Sequence, residues 1–138
     1  MTVRGSETTA WLSSATLVAT IATAGSLWFS LGLGLDPCDL CWYQRILMYP
    51  LVVVLGVATV ENRPAVSRTA LPLAGLGLCL SAYHSYLQAT TDQCAFGGPC
   101  ATVQWRMPVL DLTIPNLSFV AFGLLAVLLV GMWMRVKQ

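Results

Sequence analysis

Charge is what this chain has least of. Its 138 residues include seven basic and six acidic side chains, 9% of the total, where a soluble domain carries about 25%. So few charges cannot cover the surface of a water-soluble protein of this size, which excludes a soluble globular fold. Disorder is excluded too, because it needs low hydrophobicity and 57% of these residues are apolar. The net charge of +1 offers no basic excess to attract nucleic acid. Internal repeats and low-complexity segments are missing, as are a phosphate-binding loop, a hydrolase triad and a carboxylate pair.

What is present is long apolar runs. A helix needs roughly 20 apolar residues to cross about 30 Å of hydrocarbon, and four runs qualify, at 10–33, 42–60, 69–87 and 114–134. The expected fold is a single membrane domain over 1–138: an all-α membrane protein built as a four-transmembrane-helix bundle. Arg45 is the one formal charge inside any run. Pro50 and Pro72 interrupt two of the runs, which helices packed among neighbours tolerate. Small residues on the first run (Ala15, Ala19, Ala22, Gly25) and the third (Ala74, Gly75, Gly77) permit close helix contact.

Four spans put both termini on one side. Arg4, Arg63, Arg68, Arg135 and Lys137 flank one face, against Arg45 and Arg106 on the other. By the positive-inside rule both termini and the loop at 61–68 are cytoplasmic, and the loops at 34–41 and 88–113 face the periplasm or the extracellular side. Arg4, an apolar run and Ala22-Thr23-Ala24 are similar to a signal peptide. The run continues through Leu27, Trp28, Phe29 and Leu31, however, so the segment reads as a retained first span.

Four of the five cysteines fall in the two outward loops. Thiols outside the cytoplasm persist as disulfides unless something reduces them. Cys94 and Cys100, separated by a turn-forming Gly97-Gly98-Pro99, suit a structural staple. Cys38 and Cys41 do not, because so short a closed loop gains little chain entropy. Cys-x-x-Cys is instead the spacing of dithiols that open and close repeatedly. Asp36-Pro37 reads as an N-cap followed by proline in the first helical position, which starts the second helix at about Cys38 to Cys41. There the unpaired N–H groups and the positive dipole end favour a thiolate, while Asp36 and Asp39 oppose it.

Arg45 lies one turn beyond Cys41 on the same face. Its two readings are an arginine reaching back to the headgroups and a functional charge that stabilises a thiolate or a polar ligand group. Gln44 adds an amide able to hydrogen-bond a carbonyl oxygen. His84, near the outer end of the third span, is either a functional histidine or part of an aromatic belt with Tyr83 and Tyr86. Cys79, mid-span between Leu78 and Leu80, reads as a buried small hydrophobe.

Together these residues resemble the DsbB-type membrane thiol oxidases. The similarity is carried by Cys38-Asp39-Leu40-Cys41-Trp42-Tyr43-Gln44-Arg45, by His84 in Tyr83-His84-Ser85-Tyr86, by Gln104-Trp105 and by Pro115, and it covers nearly the whole chain. The resemblance implies a quinone-dependent protein-disulfide oxidoreductase in a prokaryotic cytoplasmic membrane, whose partners are a DsbA-like extracytoplasmic thioredoxin-fold protein, membrane lipid and a quinone (ubiquinone or menaquinone), with no metal. It further implies that Cys94 forms the mixed disulfide with the partner, that Cys100 is its resolving mate, and that Cys38–Cys41 receives the electrons. Cys41 then faces the quinone, with Gln44, Arg45 and His84 near the ring.

The close spacing of Cys94 and Cys100 is similar to the short-loop branch of the family. The segment at 103–112 is expected to form a short interfacial amphipathic helix anchored by Trp105. The related vitamin K epoxide reductases place the loop cysteines before the Cys-x-x-Cys, the reverse of the order here. Two other classes stay in view: a structural four-helix membrane protein with stapled outer loops, and a metal-handling protein using four thiolates as a zinc site. Spacing and location both weigh against the metal.

Overall fold

Lipid offers no water to the peptide group, so a spanning segment must satisfy its own backbone, and a helix does so within one segment. The structure is a computed structural model and describes residues 2–90 and 100–138. Helix α1 covers Thr2–Leu27 and runs on into a π-turn at Trp28–Gly32; α2 covers Asp39–Glu61, α3 Ser67–Thr90 and α4 Ile114–Lys137. All four are long and apolar enough to cross a membrane. The chain is an all-α, multi-pass membrane protein.

Local chemistry sets the helix ends. Asn62 closes α2 in the left-handed region at φ 51°, and the Arg63 N–H donates back to the Ala58 carbonyl at 2.9 Å. That is a helix stop of the Schellman kind. Pro64 follows, and the chain turns straight into α3. Each helix packs against the next in the chain order, most extensively α3 against α4, and α1 closes the ring against α4. The core is made of Leu12, Ala15 and Ala19 from α1, Leu51 and Leu55 from α2, Ala70 and Ala74 from α3, and Phe122, Leu125 and Leu129 from α4.

The small residues divide by face. Ala15, Ala19, Ala74 and Gly77 lie in the packed interior, and a Cβ on Gly77 would overlap the Phe122 ring. Gly25 and Gly75 have nothing within 4 Å of a built Cβ, so they are not contact glycines. Cys79 also departs from expectation: it is exposed on the outer surface of α3. The buried face of that helix runs through Ala70, Ala74, Gly77, Ser81, His84 and Leu87, a helical stripe from which Cys79 points away.

Two further expectations are corrected. The N-cap of α2 is Cys38 rather than Asp36, and the Cys38 carbonyl accepts the Trp42 N–H at 3.0 Å. Asp36 is tied elsewhere, its carbonyl accepting the Gln104 side-chain amide at 3.1 Å. The segment 103–112 is not helical. It folds back as a tight turn in which Arg106 bridges Thr113, the Met107 N–H donates to the Leu112 carbonyl at 2.9 Å, and Asp111 is left-handed at φ 54°. Pro108 has no N–H to give a helix, and Arg106 pairs with Asp111 across the turn at 2.7 Å. Trp105 packs on Phe29, ring centroids 4.9 Å apart, which pins this loop to the end of α1.

Candidate functional site

At the end of the bundle formed by the first and second loops, the start of α2 meets the end of α3. Cys38, Leu40, Leu87 and Cys100 form a small buried cluster with Cys41 against it. Cys38 caps α2, so its backbone is extended and its side chain turns inward. Cys41 stands in the first turn, where backbone N–H groups have no partner within the helix. The Cys38 thiol donates to Cys41 Sγ at 3.0 Å. That hydrogen bond first, and burial second, push the Cys38 thiol up to about 12, while His84 works the other way. In the reduced pair Cys38 therefore holds its proton.

His84 is buried among these groups. Its Nε2 is 2.9 Å from the Cys100 carbonyl and 3.8 Å from Cys38 Sγ, and its Nδ1 is 3.2 Å from the Gln44 amide nitrogen. Cys38, Cys41 and His84 present donor atoms within 4.8 Å of one another, a set that suits a soft metal. Two thiolates on one zinc, at about 2.3 Å each and tetrahedral, stand roughly 3.8 Å apart. The 3.0 Å separation of the two sulfurs here is shorter than that.

Arg45, one turn below Cys41, does not reach for the headgroups. It turns sideways to α1, where Nε donates to Ser26 Oγ at 3.0 Å and Nη2 to the Ser26 carbonyl at 2.9 Å, with a further bond to Ser30 Oγ. Trp42 lies under the guanidinium, 5.3 Å from it. Ser30 belongs to the π-turn, a distortion often found at functional sites. Sequence reasoning missed Ser26 and Ser30. Their only signal was two hydroxyls one turn apart near the end of an apolar run.

Cys41, Gln44 and Arg45 line one end of a cavity of about 430 Å³ between α1, α2 and α4, whose walls include Val18, Ala22, Met48, Leu117 and Ala121. Its size and its pattern, apolar walls with a few convergent polar groups, are those of a small-molecule pocket. A flat apolar ring with two carbonyl oxygens suits that lining, so the residues present fit the quinone implied by the resemblance. His84 is not on this wall. It lines a smaller hollow of about 20 Å³ with Cys38, Cys41 and Cys100. Cys41 belongs to both spaces. Cys94 lies outside the described residues.

Comparison with known proteins adds an independent line. The chain matches the model of the family described as disulfide bond formation protein DsbB over residues 7–132. It is 40% identical over 125 residues to disulfide bond formation protein C of Bacillus subtilis, covering 85% of this chain and 88% of the relative. Identity is also 40% over 111 residues with probable disulfide formation protein C 1 of Bacillus anthracis, covering 78% of this chain and 80% of the relative. A probable disulfide formation protein of Coxiella burnetii is 40% identical over 112 residues, with 76% and 75% covered. No solved structure matches.

Proposed function

Because the chain belongs to the DsbB family of disulfide bond formation proteins, and so to the thiol oxidoreductases that serve disulfide formation, we propose that it reoxidises an extracytoplasmic thioredoxin-fold thiol oxidase and passes the electrons to a membrane quinone. The observation that carries this reading is the double position of Cys41. Its sulfur borders the cysteine cluster on one side and the apolar cavity on the other, which is what a relay between a protein dithiol and a lipid-soluble acceptor needs.

The chemistry balances. The partner's thiolate attacks Cys94 of a Cys94–Cys100 disulfide, and the partner's second thiol closes its own disulfide and releases Cys94. Cys100 then attacks Cys38 Sγ of the Cys38–Cys41 disulfide and displaces Cys41 as the thiolate on the cavity side. Cys94 resolves the Cys38–Cys100 bond, which leaves Cys38 and Cys41 reduced. Two electrons and two protons have moved inward and one partner disulfide has been made. Such exchange depends on access and on the leaving thiol. Burial of Cys38 and Cys100 keeps stray thiols from the second step.

When bound, a quinone supplies the two-electron, two-proton acceptor, whose potential must lie above the −120 mV or so of a DsbA-type oxidant. The protein supplies position and electrostatics. Cys41 is the donor sulfur, Arg45 sets a fixed positive charge one turn away, and Gln44 stands at the polar end. Ser26 and Ser30 hold Arg45 against α1 so that it cannot swing to the surface. The test supplies reduced thioredoxin-fold partner and a ubiquinone or menaquinone analogue to the purified protein and follows quinone absorbance. Reduction that requires Cys41 supports the reading; full activity in Cys41→Ser sinks it.

A further inference from the structure

Gln44 touches the cavity, yet its one hydrogen bond to a side chain among the described residues points the other way, to His84. A carbonyl oxygen carries lone pairs and no hydrogen. With the Cys100 carbonyl 2.9 Å from His84 Nε2, the proton of that contact must sit on the ring nitrogen. A neutral imidazole has only one N–H, so Nδ1 is then bare and must accept. Its neighbour at 3.2 Å is the Gln44 amide nitrogen, which has hydrogens to give. The opposite tautomer would set a bare Nε2 against a carbonyl oxygen and an N–H against an NH₂ group. Gln44, His84 and Cys100 are 5%, 1% and 1% exposed, so bulk solvent does not reach these groups to relieve either clash.

We propose that Gln44 is a positioning residue for disulfide exchange between the two cysteine pairs: its amide fixes His84 as the Nε2–H tautomer, and that N–H holds the Cys100 backbone against Cys38. The same N–H is 3.8 Å from Cys38 Sγ, so one donor faces both the residue that attacks and the sulfur that is attacked. In the reduced pair Cys38 gives its own thiol hydrogen to Cys41, and in the disulfide it has none to give, so in both states its sulfur is free to accept from His84. The hydrogen bonds therefore run in one direction, from Gln44 to His84 and from His84 to Cys100 and Cys38. Cys100 belongs to a loop whose attachment to the end of α3 otherwise includes the 3.3 Å bond from Gln88 to the Thr102 carbonyl, an exposed contact. A buried bond at Cys100 itself is the firmer hold. This inference rests on the exchange sequence proposed above for its purpose, but not for its geometry.

The chain contains one histidine, so nitrogen-15 labelling of histidine gives an NMR spectrum that reports His84 alone. In the intact protein in lipid nanodiscs, the expected spectrum shows Nε2 protonated and Nδ1 bare. Gln44→Glu replaces the donor with an acceptor of the same shape and moves a proton onto Nδ1. A functional readout follows from a Cys41→Ser, Cys94→Ser background, where diamide joins Cys38 to Cys100 and the rate of that cross-link measures their approach. Adding Gln44→Leu slows it roughly 10- to 100-fold, the loss expected for one buried hydrogen bond. A wild-type ring bare at Nε2, or a cross-link rate indifferent to Gln44→Leu, overturns the proposal. The spectrum needs no variant and no quinone. A protein with the expected tautomer that never reduces quinone would contradict the proposed function while leaving this assignment standing.

Discussion

At the scale of single residues, the division of labour between two cysteines three positions apart follows from where a helix begins. Cys38 is the cap, buried and holding its hydrogen on Cys41. Cys41 is in the first turn and opens on the cavity. Since the hydrogen bond to Cys41 is the main cause that raises the Cys38 thiol to about 12, and a raised value means the unreactive thiol persists below it, Cys38 in the reduced protein should resist iodoacetamide from about pH 7 to about pH 10. Cys41→Ala removes that cause and should bring Cys38 alkylation to lower pH, read by mass spectrometry of the alkylated peptides. Equal labelling of Cys38 in the two proteins would contradict this account. The residues that meet at the candidate site were legible in the sequence, because a Cys-x-x-Cys, an arginine inside a span and a lone histidine are each conspicuous in so apolar a chain. Their partners were not. Which way Arg45 bends, and on which side of Cys41 the His84 ring lies, depend on helix rotation and on the neighbour's hydroxyls, and those are tertiary facts.

At the scale of elements, the helices hold together through close packing and a few interhelical hydrogen bonds, since lipid tails are as apolar as leucine and give helices no hydrophobic reason to associate. Thr16 and Thr59 share a hydrogen bond at 2.8 Å between α1 and α2, and Gly77 lets Phe122 of α4 lie on the α3 backbone. Gly77→Ala should therefore destabilise the protein by about 1–3 kcal/mol, the usual cost of overpacking. Gly75→Ala, with nothing near its Cβ, should be neutral or slightly stabilising by helix propensity. Thermal unfolding in detergent separates the two, and equal shifts would mean that α3 does not pack on α4 as described. Apolar runs revealed the existence of these helices. Their ends were less legible, because Asp36 looks like a cap until Gln104 from the second loop takes its carbonyl, and 103–112 looks amphipathic until Pro108 and the Arg106–Asp111 pair fold it into a turn.

At the scale of the whole molecule, the two ends of the bundle differ in kind. Arg135 of α4 pairs with Glu7 of α1 at 3.0 Å, and Thr9 bonds Asn62 in the α2–α3 turn at 3.2 Å, so the termini and that turn share one end while the cysteine cluster occupies the other. From the positive-inside rule we propose that the first end faces the cytoplasm. A membrane-impermeant maleimide should accordingly label Asn62→Cys, in a background without native cysteines, only after cells are permeabilised; labelling of intact cells would invert the molecule and remove the site from its oxidising compartment. The scarcity of charge made this asymmetry readable, since every basic residue outside Arg45 marks a loop or a terminus. It also left Arg45 as the one charge whose place needs a chemical reason, and it lines the cavity beside Cys41. The most direct measurement is the stoichiometry of a single turnover: limiting reduced thioredoxin-fold partner is mixed with the purified protein and excess quinone, and both redox states are followed. One quinone reduced for each partner disulfide formed, with none in Cys41→Ser, is the predicted result. Partner oxidation that leaves quinone unchanged, or quinone reduction that survives Cys41→Ser, would contradict it.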